Sequence, residues 1–407
     1  MDYRVEIPES IVGKIELPAS KSITARALII NAMTRDALPP TNIARCDDSE
    51  VMARALSSEG DCIDVADAGT AMRFLTAYYG VQQDRTVTID GSERMRERPI
   101  GPLVDALRRL GAEIEYIEKV GFPPLKIKGR QLHGCELAMR GDVSSQFISA
   151  VLMIAPVVGG MTLRIEGDIV SRPYIDMTLG LMRHCGIAAK WTGNSIKVPA
   201  GNYTSSPIII EGDWSAASYW LALNALLPES RIELSPLHDD SLQGDRAIVE
   251  LMEPLGVRTI FMENRVELKH QVVELPPHYH CDMASTPDLV PTMAVTLCLM
   301  RVPFSLTGVR NLRIKESDRL EVLRKELEKL GYTLVTGDDS VSYDGNHSEP
   351  SGEVVLDPHG DHRMAMALSL AASRHNIIIK DAEVVTKSYP DFWSDLTVEL
   401  SSNRTLD

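Results

Sequence analysis

The sequence lacks paired cysteines. Its six, Cys46, Cys62, Cys135, Cys185, Cys281 and Cys298, are scattered with no C-x-x-C spacing, which argues against a zinc ribbon or a disulfide framework. The run HYHC at 278–281 has no second ligand pair, so no metal is expected. Long apolar runs are missing too: polar residues interrupt each one within about 20 positions, too soon for a membrane span. The opening residues MDYRVEIPES show no basic segment followed by an apolar one, so a secretory signal is not expected and the cytoplasm is the expected compartment. Basic charge is scarce. Lys and Arg number 42 against 57 Asp and Glu, a formal net charge of −15, which argues against nucleic acid as a partner. No phosphate-binding P-loop, G-x-G-x-x-G fingerprint or G-x-S-x-G elbow occurs, so neither a nucleoside triphosphate, a dinucleotide nor a serine hydrolase is indicated.

What is present fits a globular protein of two or three domains. The chain has 407 residues, 44% of them hydrophobic, enough for substantial cores. One helix ending recurs, in ALSSEGDCI, LRRLGAEIEY, LMRHCGIAAKW, LMEPLGVRTIF and LEKLGYTLV. Each amphipathic stretch meets a glycine (Gly60, Gly111, Gly186, Gly256, Gly331) and then a strand-like run. Glycine just past a helix end supplies a left-handed turn at no steric cost. A sixth copy, AMALSLAASRHNIIIKD, has Asn376 at that place. A second helix type is apolar nearly all round, which predicts burial: SKSITARALIINAM, DAGTAMRFLTAYY, GDVSSQFISAVLMIAP, GDWSAASYWLALNALL, STPDLVPTMAVTLCLM and GDHRMAMALSLAAS. Strand-like segments such as TVTID, LKIKG, PIIIEG and EVVLDP lie between them. The pattern predicts about six β-α-β-α-β-β-like units in two globules. The expected division is 19–212 for one lobe, and 1–18 with 213–407 for the other.

The starts of the buried helices carry unusual residues: Lys21, Ser22 and Arg26; Asp67, Gly69, Thr70 and Arg73; Ser144, Ser145 and Gln146; Asp288; His362 and Arg363. Helix N-termini present unpaired N–H groups and partial positive charge. A serine there is an ordinary cap. Lysine and arginine oppose the dipole, so they point to an anion site. In NLRIKESDRLEVLRKELEKLG the apolar stripe Leu320, Leu323, Leu327 and Leu330, counted backwards, places Glu316 on the same face, with Arg319 one turn before Leu323. The segment GSERMRERPIGPLVDALRRLG sets Arg94, Arg96 and Arg98 ahead of a helix with Pro99 suited to its first turn; for Arg96 and Arg98, solvated charge is the expectation. VTKSYPDFW places Lys387 just after a strand.

Taken together, SKSITARAL, DAGTAMR, RMRERPIGPLVDAL, GDVSSQF, SRPYIDMTL, RIKESDRL, GDHRMAMAL and TKSYPDFW resemble the 5-enolpyruvylshikimate-3-phosphate synthase family, in family order from residue 20 to 393. The resemblance implies an α/β (α+β) fold of two similar globular domains. Each has three βαβαββ units with buried parallel helices, an inside-out α/β barrel, whose N-termini face an inter-domain cleft. It implies transfer of enolpyruvate from phosphoenolpyruvate to the 5-hydroxyl of shikimate 3-phosphate, in aromatic amino acid biosynthesis, by a monomer without cofactor or metal.

Position by position, the resemblance implies that Lys21, Ser22, Arg26, Ser144, Ser145, Gln146, Ser171, Tyr174, Asp288, Asn311 and Lys315 bind shikimate 3-phosphate. Lys21, Gly69, Arg94, Gln146, Arg319, Arg363 and Lys387 match the phosphoenolpyruvate site. Asp288 matches the proton acceptor, and Glu316, with Lys21 or Lys387, handles the proton at C3. Two positions depart from the family pattern: Asp67 stands where Asn is common and Phe74 where Pro is common. The sister enzyme that acts on a UDP-amino sugar is the alternative; its mobile loop carries a cysteine, and GSERMRERP has none.

Overall fold

The structure, a computed structural model, describes residues 1–397. Chain contacts divide it into two compact units: Ser20–Ile210, and Met1–Ala19 together with the residues from Glu211 onward. Both are mixed α/β.

In the first unit, two four-stranded sheets share one topology. Cys62–Asp64 runs parallel to Thr86–Asp90, and the hairpin Glu113–Tyr116 and Leu125–Lys128 adds through its second strand, antiparallel to Thr86–Asp90. Glu136–Arg140, Met161–Glu166, Lys190–Thr192 and Ser195–Val198 repeat that order. In each unit a buried helix (Gly69–Gly80 or Ser145–Ile154) follows the first strand, and an amphipathic helix (Gly101–Arg109 or Arg172–His184) follows the second. Two further helices, Lys21–Ala32 and Asp47–Ser57, belong to a shortened third repeat. Its expected strand PIIIEG is reduced to two isolated bridges, Ile209 with Thr41 and Gly212 with Ala19. Pro207 has no N–H to offer a ladder, and Asn42 Nδ2 donates to the Ile210 carbonyl at 2.7 Å.

The second unit repeats the plan. Tyr279–Asp282, Phe304–Thr307, Tyr332–Thr336 and Ser340–His347 form one such sheet. In another, Val12–Glu16 pairs in parallel with Arg231–Ser235, beside Arg265–His270 and Val257–Met262. The last sheet has three strands, Tyr3–Val5 with Ile377–Ile379 and Val354–Leu356. All the described sheets are open; none closes into a barrel. The buried helices are covered as their composition requires: each residue of Trp214–Leu226 and of Val290–Leu299 is buried.

Four of the five glycines expected to end helices do so with positive φ: Gly111, Gly186, Gly256 and Gly331. At Gly331 a Cβ would stand 1.7 Å from the Ser348 carbonyl oxygen. Gly60 and Asn376 do not take that conformation among the described residues; the helix before Gly60 ends at Ser58 in extended backbone. The helix Gly101–Arg109 has Pro102, not Pro99, in its first turn, after Ile100 as cap. His278 of the HYHC run contacts the Ser305 hydroxyl at 3.0 Å, and no group of three His, Cys, Asp or Glu side chains gathers for a metal among the described residues. No described helix is long and apolar enough to cross a membrane.

Candidate active site

In the first unit, helix starts bring the candidate residues together in pairs. Ser20 caps the helix Lys21–Ala32, and Lys21 Nζ meets Asp48 Oδ2 at 3.0 Å, both side chains largely buried. Ser144 caps Ser145–Ile154 through the Gln146 N–H at 3.3 Å. The Gln146 side chain then donates to Thr70 Oγ1 at 3.0 Å, linking this helix start to that of Gly69–Gly80. Ser171 precedes Arg172–His184 with φ 55° and makes no capping bond, a left-handed conformation that non-glycine residues adopt uncommonly.

Arg26 is placed differently from a residue aimed only at substrate. It is 2% exposed. Its guanidinium donates to Thr178 Oγ1 (2.8 Å), Ser149 Oγ (3.3 Å) and the carbonyls of Ser22 (2.8 Å) and Tyr174 (3.2 Å). It also lies 5.3 Å from the Phe74 ring centre. Burial pulls this guanidinium down to about 10. Arg26 thus ties four helices together, and Phe74 serves as its stacking partner inside the core. Arg94 is half exposed and pairs with Glu97 at 2.9 Å. It lies in the short helix Glu93–Arg96, which Ser92 caps by accepting from Met95 N–H while donating to Asp67; Asp67 therefore has a structural task. Arg96 pairs with Asp90 and Glu118, but Arg98, expected in solvent, is buried.

In the second unit the ion pairs of the candidate residues form one network. Asp288 lies in the 3-10 turn Pro287–Leu289 that leads into the helix Val290–Leu299. Its carboxylate meets Arg319 Nη1 at 2.8 Å, Arg363 Nη2 at 3.0 Å and Lys315 Nζ at 3.6 Å. Burial pushes Asp288 upward, but Arg363, Lys315 and Arg319 outweigh it and hold the group well below the usual carboxylate range. Arg319 is 1% exposed and also meets Glu316 Oε2 and Asp361 Oδ2, each at 2.8 Å. Glu316 is not on the helix stripe: the helix starts at Arg319, capped by Asp318, and Glu316 sits in the loop before it. Lys387 ends a 3-10 helix, Ala382–Lys387, rather than following a strand. Its side chain is buried and makes no hydrogen bond or ion pair among the described residues. Among the described residues, Asn311 Oδ1 is buried without a donor. A lone cation and a lone acceptor suit an anionic, hydroxylated ligand.

A family model described as EPSP synthase (3-phosphoshikimate 1-carboxyvinyltransferase) matches residues 56–396. The chain belongs to the EPSP synthase family. A 3-phosphoshikimate 1-carboxyvinyltransferase of Bacteroides fragilis is 48% identical over 402 residues, 97% of each chain. One from Methanothermobacter thermautotrophicus is 34% identical, covering 96% of this chain and 97% of the relative. The fold is shared with EPSP synthase from Acinetobacter baumannii (TM-score 0.77, 20% identity, 97% of each chain). It is also shared with the enolpyruvyl transferase NikO from Streptomyces tendae (TM-score 0.75, 16% identity, 97% of this chain and 96% of that one).

Beside the EPSP synthase motifs, the structure adds acids that sequence reasoning did not single out. Asp48 faces Lys21. Asp361, fully buried, caps its helix through Arg363 N–H and binds Arg319. Asp245, buried, accepts from Ser215. A signal was available for Asp361, since it precedes a buried apolar helix in GDHRMAMAL as a cap should. Asp245 and Asp48 come from outside the quoted motifs, and only the tertiary fold shows their partners.

Proposed function

We infer that this protein transfers the enolpyruvyl group of phosphoenolpyruvate to the 5-hydroxyl of shikimate 3-phosphate, releasing phosphate. The shikimate hydroxyl oxygen bonds to C2 while C3 gains a proton. The tetrahedral intermediate then loses a C3 proton and phosphate, restoring the double bond. Both substrates are multiply anionic, which suits fixed Lys and Arg side chains at helix starts.

The observation that carries the mechanism is Asp288 bound by Arg319, Arg363 and Lys315. In this network these cations hold the carboxylate ionised. When Arg363 and Lys315 turn to substrate anions, their hold on Asp288 weakens and its proton affinity rises. It then accepts the hydroxyl proton as the C–O bond forms. Glu316, held by Arg319 at 2.8 Å, handles the C3 proton with Lys21 or Lys387. Ser22, Ser144, Ser145, Ser171, Tyr174 and Asn311 supply polar contacts to shikimate 3-phosphate, Gln146 touches both substrates, and Gly69 and Arg94 serve phosphoenolpyruvate.

Phosphate release tests this reading. Release is expected with both substrates present and not when either is omitted, nor when a UDP-amino sugar replaces shikimate 3-phosphate. Release with the UDP-amino sugar instead would assign the protein to the sister reaction.

A further inference from the structure

Arg98 stands apart from the buried cations described above. Its side chain is 9% exposed. Among the described residues its guanidinium makes no hydrogen bond or ion pair, and Nε is a buried donor without an acceptor. Burying an unpaired cation is costly. The other buried arginines, Arg26, Arg73, Arg319 and Arg363, each have internal acceptors.

The position of the guanidinium shows where its partner belongs. A Cβ on Gly69 would lie 2.6 Å from Arg98 Nη1 and 2.7 Å from Nη2, with Arg73 Nη1 at 2.8 Å from the same point. Gly69 opens a 12-residue helix that has no side-chain cap, so its first N–H groups lack intrahelical acceptors. Two guanidiniums and the positive end of a helix therefore converge there. Only the missing side chain of Gly69 leaves them room.

We propose that Arg98 is an anion-binding residue whose ligand is a phosphate group: that of phosphoenolpyruvate before reaction, and inorganic phosphate after it. A tetrahedral dianion accepts from a guanidinium fork and from helix amides together. The choice of phosphoenolpyruvate rests on the enolpyruvyl-transfer reading; the affinity for phosphate does not.

The test uses the full chain and its Arg98→Gln and Arg98→Lys variants. Thermal melts are recorded with and without inorganic phosphate alone, followed by steady-state kinetics. Without ligand, Arg98→Gln is expected to melt no lower than wild type, because an unpaired buried charge is gone. Its phosphate affinity should fall about tenfold or more, the usual scale for a charged hydrogen bond. KM for phosphoenolpyruvate should rise similarly, with KM for shikimate 3-phosphate nearly unchanged. Unchanged phosphate affinity in Arg98→Gln would overturn the proposal. If that variant does not fold, weakened phosphate binding by Arg98→Lys supports it and unchanged binding overturns it. A wild type that binds phosphate but releases none from the two substrates would defeat the enolpyruvyl reading and leave the Arg98 site standing.

Discussion

Asp288 is held charged by three cations and is proposed to serve as a base. Asp288→Asn keeps the shape and removes the proton acceptor. Turnover is expected to fall about 10²–10⁴-fold, the range for loss of a general base, with shikimate 3-phosphate binding retained. Initial rates and equilibrium titration check this, and near-normal turnover removes Asp288 from the mechanism. Asp245 is the opposite case. Burial first, then the Asp288 charge, push it up to about 7, against the pull of Arg363. Its folded value lies above the unfolded value of about 3.9. Between roughly pH 4 and 7 the folded protein thus keeps a proton that the unfolded chain has released, and stability falls as pH rises through that window. Asp245→Asn removes this penalty and can still accept from Ser215. Its melting temperature should match wild type near pH 4 and exceed it increasingly up to pH 8. A pH-independent difference would contradict the assignment.

Helix ends shape the fold and, in the proposed mechanism, carry the chemistry. The Gly331 turn has φ +85° and no room for a Cβ beside the Ser348 carbonyl, whereas at Gly60 the nearest such contact is 3.5 Å and φ is ordinary. Gly331→Ala should therefore destabilise by about 1–3 kcal/mol, and Gly60→Ala should be close to neutral, as denaturant melts can show. Both glycines stand in the same repeated sequence motif, so the motif alone could not separate them; the difference lies in which backbone returns past the turn. All-round apolar helices, their capped starts and the strand–helix order were legible, because periodicity and capping are local. Glu316 was misplaced by extending a helical stripe past the Asp318 cap. Arg26 stood on a helix expected to be buried, but its partners Thr178 and Ser149 were not legible, nor was the burial of Arg98 beside Gly69, because only the folded chain brings these residues near.

At the scale of the whole molecule, a protein of net charge −15 is proposed to bind two anions. Long-range repulsion and local attraction then oppose each other, and salt distinguishes them. Screening shortens the reach of net charge to about 8 Å at physiological ionic strength. If overall charge governed binding, added salt would tighten it. If fixed Lys and Arg side chains at helix starts govern it, added salt loosens it by screening and by competition from solution anions. Titration of shikimate 3-phosphate into the protein from low to high sodium chloride is the most direct measurement. The anion-trap account predicts a dissociation constant that rises steadily with salt; one that stays flat or falls would contradict it.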